Sequence, residues 1–97
     1  MTSNHKLTGI LQGRTITKVR ISPGALAIGF GDGSTMIVRT GSDGPNTTTG
    51  GVVDKVQQQG TTLVLLTKDG GDLTISLGEE TSSVMVRDIS GGLEYAD

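Results

Sequence analysis

Apolar and polar positions alternate along most of this chain, and the alternation repeats. Leu26, Ile28 and Phe30 fall on one side of a short segment, with Ala25, Ala27 and Gly29 on the other. Beyond Gly31-Asp32-Gly33-Ser34 the apolar side resumes at Met36 and Val38. A period of two marks a half-buried strand, because successive side chains point to opposite faces. Asp32-Gly33 predicts a tight two-residue hairpin turn, since a turn matching strand twist needs positive φ at its centre.

The pattern returns at a constant offset of 37 residues, from Asp32 to Asp69. Ile16 matches Val53, Lys18 matches Lys55 and Val19 matches Val56. Leu26 matches Leu63, Ile28 matches Leu65, Met36 matches Leu73 and Val38 matches Ile75. One offset carried through two hairpins predicts an internal duplication, with units at 13–40 and 50–77. Each unit reads as a three-stranded meander with one apolar face, which must be covered by another layer. The expected fold is all-β: two pseudo-symmetric antiparallel meanders forming a small sandwich or barrel, plus a C-terminal hairpin at 83–96. Exchange of meanders between two chains is the alternative arrangement.

Within this plan, Arg14 to Ile21 alternates over most of its length. Thr15, Thr17, Val19 and Ile21 share one face, and Arg14, Ile16, Lys18 and Arg20 the other; Ile16 breaks the pattern and suggests a bulge or a strand covered on both sides. Ser22-Pro23-Gly24 is a turn, with Pro fixing φ and Gly supplying positive φ. Thr40 to Gly50 contains no apolar residue and reads as a linker. Val52 to Val56 has spacings that a helical turn also accepts, but its counterpart is rich in β-branched residues, so strand is expected. Residues 1–6 are polar and expected to fray, and Leu7 to Leu11 reads as a short edge strand. The C-terminal hairpin has no counterpart in the first unit.

The 97 residues fit one domain, 1–97. The chain has 16 Gly but one Phe and one Tyr, so its core is lean and aliphatic. Lean cores favour association, and a homodimer is expected. There are no cysteines, and hence no disulfides, thiolate sites or cysteine nucleophiles. No apolar run approaches the ~20 residues that span a bilayer, and no signal-like segment follows Met1. No membrane association and a cytoplasmic location are the expectation. The net charge of −2 hides an imbalance: residues 1–68 carry seven Lys or Arg against three acids, and residues 69–97 one against seven.

Little of this chain points to catalysis or a cofactor. His5 is the only histidine and lies near the start, where it has no evident base or ligand role. Asp32-Gly33-Ser34 lacks the further acids of a hard-cation loop. The closely spaced glycines 29, 31 and 33 lack the Lys and following helix of a phosphate cradle. The acids in the last third show no spacing that marks an acid–base pair. No enzyme activity, no metal and no cofactor are expected.

Binding is the remaining class. Arg14, Lys18 and Arg20 lie on one strand face, and Lys55 recurs at the matching point of the second unit. Such a face can hold phosphates, but single-strand binders also stack bases on aromatics, and here these are almost absent. Arg87 and Tyr95 lie in the unrepeated end, where Tyr95 suits a protein interface or caps the end of the fold. The candidate binding residues are therefore Arg14, Lys18, Arg20, Lys55, Arg87 and Tyr95. A non-catalytic protein interaction or structural module is the leading expectation, with a nucleic-acid or polyanion binder as the alternative and a small enzyme with a carboxylate site ranked third.

The hairpin unit Leu26-x-Ile28-x-Phe30-x-Asp32-Gly33-Ser34 and the ending Val84 to Asp97 resemble small uncharacterised bacterial all-β proteins. The resemblance implies no activity.

Overall fold

A computed structural model describes residues 2–41, 51–68 and 71–96. The first unit forms β2 (Ile16–Ser22), β3 (Ala25–Phe30) and β4 (Thr35–Arg39). The second forms β5 (Val53–Gln59), β6 (Thr62–Thr67) and β7 (Leu73–Ser76). Before them lie a two-residue strand β1 (Thr2–Ser3) and a helix α1 (His5–Leu11). A hairpin of β8 (Val84–Arg87) and β9 (Leu93–Ala96) closes the chain. All pairings are antiparallel, in sheets of order β2-β3-β4-β8-β9 and β1-β5-β6-β7.

The two meanders meet through equivalent residues. Ile16 N–H donates to Gly51 C=O and Val53 N–H to Arg14 C=O, both at 2.9 Å. At the other end Gly41 N–H donates to Ser76 C=O (2.8 Å) and Gly78 N–H to Arg39 C=O (2.9 Å). Each bond maps onto its partner when 37 is added to one residue number and subtracted from the other. The chain therefore folds about a pseudo-two-fold axis through the bridges Thr15–Val52 and Thr40–Leu77. Single bridges at the corners leave a sandwich of two sheets rather than a closed barrel.

Between the sheets lies an aliphatic core to which both units contribute. Leu26, Ile28, Met36 and Val38 are fully buried, as are Leu63, Leu65, Leu73 and Ile75. Burying each such side chain is worth about 1.5–3 kcal/mol. Phe30 and Tyr95 are the aromatic contribution to the core.

A bulge between Ile16 and Lys18 turns Ile16 inward to join Val19, so Lys18 and Arg20 face out on the opposite side. The second unit repeats this bulge between Val53 and Lys55, and residues 53–59 are strand, not a helical turn.

The start of the chain differs from its sequence-based reading. Leu7, Ile10 and Leu11 sit three and four residues apart, which places them on one helical face. Asn4 caps that helix, its side-chain oxygen accepting from Leu7 N–H at 3.0 Å. Leu7 and Leu11 are fully buried, so this segment is a core helix rather than an edge strand. Nor are residues 2–6 frayed, since Thr2 and Ser3 pair with Gln58 and Gln57 and α1 begins at His5; Met1 lies outside the described residues.

Asp32-Gly33 is not a two-residue turn either. Four residues connect β3 to β4, and only Gly33 has positive φ (88°). Pro23-Gly24 does make a two-residue turn, with Gly24 at φ 75°. Residues 42–50 of the expected linker and the Asp69-Gly70 turn lie outside the described residues.

Candidate binding surface

Strand register settles which candidate side chains share a surface. On the five-stranded sheet, Lys18 pairs with Gly29, Gly29 with Thr35, Thr35 with Arg87, and Arg87 with Leu93. The next row runs Arg20, Ala27, Ile37, Met85 and Ala96. Arg39 follows beside Ile37 on the same face. Their neighbours Leu26, Ile28, Met36, Val38 and Val86 point into the core. Lys18, Arg20, Arg39 and Arg87 therefore share the outer face, and the one acid within the strands of this sheet, Glu94, is engaged by Arg14. Lys18 and Arg87 are three strands apart, about 14 Å at ordinary strand spacing.

This face also exposes apolar side chains, on the inner strands β4 and β8 and on the edge strand β9. Ile37 is 40% exposed, Met85 36% and Leu93 57%. A groove of about 390 Å³ opens beside them, lined by Ile37, Arg39, Ser82, Ser83, Met85 and Ala96 among others. Ser82 holds φ 60°, unusual for a side-chain-bearing residue. The adjacent turn is fixed by Ser83, whose hydroxyl donates to Glu79 C=O (2.7 Å) and accepts from Glu79 N–H (3.1 Å).

Other candidates lie elsewhere. Lys55 is exposed on the four-stranded sheet, where it pairs with Leu66, so the core separates it from Lys18 and Arg20. Arg14 is committed to an internal network. Its guanidinium donates to both Glu94 oxygens at 2.9 Å and to Ser34 Oγ at 2.9 Å, with Asp32 at 3.5 Å from Nε. A register shift in β8–β9 leaves Glu94 outside the ladder and available to Arg14. Hydrogen bonding to Glu94 raises the Arg14 pKa further, so it stays charged. Asp32 accepts from the Ser34 hydroxyl and N–H, and these bonds hold its carboxyl below the ordinary carboxylate range.

Tyr95 is 6% exposed and packs in the core opposite Val86. Asn4 Nδ2 donates to its hydroxyl at 3.3 Å, and Lys6 Nζ lies 5.6 Å from its ring centre. It ties α1 to the C-terminal hairpin.

The structure thus brings Lys18, Arg20 and Arg87 together and adds Arg39, which sequence reasoning missed. Its signal was present in the alternation of Met36 and Val38 inward with Ile37 and Arg39 outward. Among the described residues, no three His, Asp or Glu side chains gather as a metal site requires. No family model, curated protein or solved structure matches the chain.

Proposed function

We propose that this protein is a non-catalytic binding module whose outer five-stranded face receives an acidic protein partner. The observation that carries the reading is the face itself: four cations with no ion pair among the described residues, beside exposed Ile37, Met85 and Leu93. Uncompensated cations steer an acidic partner and fix its register, while the apolar side chains supply contact area. Two copies meeting through this face would set four cations against four, so a second copy is a poorer occupant than an acidic protein.

A polyanion is the second reading, favoured by the same four cations. Against nucleic acid, Phe30 and Tyr95 are both in the core, leaving no aromatic on the face for base stacking.

The deciding experiment compares capture from the native host by the wild type, by Lys18→Glu/Arg20→Glu/Arg39→Glu/Arg87→Glu, and by Lys55→Glu on the opposite sheet. The expected result is one acidic protein retained by the wild type and by Lys55→Glu, and lost with the four-fold reversal. Its retention by the four-fold reversal overturns the reading. Nucleic acid captured at low salt and released steeply as salt rises establishes the polyanion instead.

A further inference from the structure

We infer that the free edge of β2 accepts an added strand from a partner protein, in the form of an extended segment alternating acidic and apolar residues. The basis is a difference between the two copies of one meander. β5 has its outer edge covered and, among the described residues, β2, its counterpart, does not.

On β5 the cover is visible bond by bond. Thr2 and Ser3 pair with Gln58 and Gln57. Val56 N–H donates to Thr8 Oγ1 (2.9 Å), and Val56 C=O accepts from Asn4 N–H (2.8 Å). Val56 is fully buried as a result. The offset of 37 carries Val56, Gln57 and Gln58 onto Val19, Arg20 and Ile21. No strand pairs with Arg20 and Ile21 on that side among the described residues. No hydrogen bond links the Val19 backbone to anything beyond its own sheet among them.

Val19 pairs with Ile28 as Val56 pairs with Leu65. Residues in matching register turn their N–H and C=O the same way, so those of Val19 face the open edge. Ile21 completes the picture. It lies on the inner side, opposite fully buried Leu26, yet it is 53% exposed. Its covered counterpart is the polar Gln58, bonded by Asn4. Among the described residues, this copy therefore has unpaired main-chain groups beside an exposed apolar side chain.

The occupant follows from strand geometry. Side chains of an added strand alternate between faces. Those on the inner side cover Ile21 and must be apolar; those on the outer side meet Lys18 and Arg20 and must be acidic. A second copy of β2 is excluded by the same rule, because pairing it with itself sets Lys18 and Arg20 against like charges. The inference extends beyond the face reading: it concerns the edge and requires neither Arg39, Arg87 nor the groove.

The test is a titration of the full chain, followed by amide nuclear magnetic resonance, with a capped peptide of alternating Glu and Val and a matching Lys–Val peptide. The Glu–Val peptide is expected to shift the Val19 and Ile21 amides and slow their exchange, leaving Val56 unchanged. Lys18→Glu/Arg20→Glu should weaken the Glu–Val peptide about tenfold, two cross-strand pairs turning repulsive, and gain binding of the Lys–Val peptide. Arg39→Glu/Arg87→Glu should leave edge binding in place. Ile21→Pro, which removes one outward N–H, should bind neither peptide; should it unfold, the charge swap carries the test alone. Shifts confined to Ile37 and Met85 would overturn the edge inference while leaving the face reading standing. An absence of shifts at millimolar peptide, or protection of Val19 by self-association, overturns it as well.

Discussion

Thr15 pairs with Val52 in an antiparallel bridge, and each is the other's counterpart in the repeat. Thr40 and Leu77 do the same at the far corner. Two copies of one meander thus join at their own equivalent positions, so most physical properties of the halves should match in pairs.

Core truncations test that pairing. Leu26 and Leu63 are equivalent, and both are fully buried. Leu26→Ala and Leu63→Ala should each cost about 2–5 kcal/mol, and they should agree closely with one another. Denaturant unfolding of the two variants measures both.

Arg14 and Lys18 should behave differently despite their neighbouring positions. Arg14→Ala removes charge-assisted bonds to Glu94 and leaves that half-buried carboxylate without its fork, at a cost of about 1–3 kcal/mol. Lys18 is exposed, so Lys18→Ala should stay within about 0.5 kcal/mol of the wild type. The same unfolding measurement separates them.

A modest pH dependence follows from Asp32. Its folded pKa is lowered from 3.8 by hydrogen bonds from Ser34. The folded state therefore favours the charged form. The stabilisation is present above about pH 3.8 and lost as pH falls through the lower folded value. Thermal melts between pH 7 and pH 3 should show a steeper acid decline for the wild type than for Asp32→Asn.

Asn4 caps α1 and also bonds Gln58 and Tyr95. Asn4→Ala should cost about 1 kcal/mol from the cap alone, read from chemical denaturation. It should also speed amide exchange at Val56, because the chain over that edge is then held less firmly.

The strands were legible because their alternation is local and was written twice. Leu26, Ile28, Met36 and Val38 announced their inward face, and Leu63, Leu65, Leu73 and Ile75 repeated it. Even the bulge at Ile16 left a trace, as an apolar residue out of phase. Helix α1 was harder to see: its seven residues give one buried pair, Leu7 and Leu11, and a short apolar run reads equally as strand. The candidate face was hidden for another reason. Which strand lies beside which is set by long-range pairing, and only the β4–β8 register brings Arg87 into line with Lys18 and Arg20. Arg14 carried the same charge as those residues, but its fate depended on Glu94, 80 residues away.

The central claim is that the repeated edge is closed in one copy and open in the other, and that the open copy is where a partner strand adds. Amide hydrogen exchange at Val56 and Val19 in the intact, unliganded chain tests it most directly. The expected result is strong protection of Val56, bonded to Thr8, and fast exchange at Val19. Equal protection of the two amides would contradict it, for the β2 edge would then already be closed.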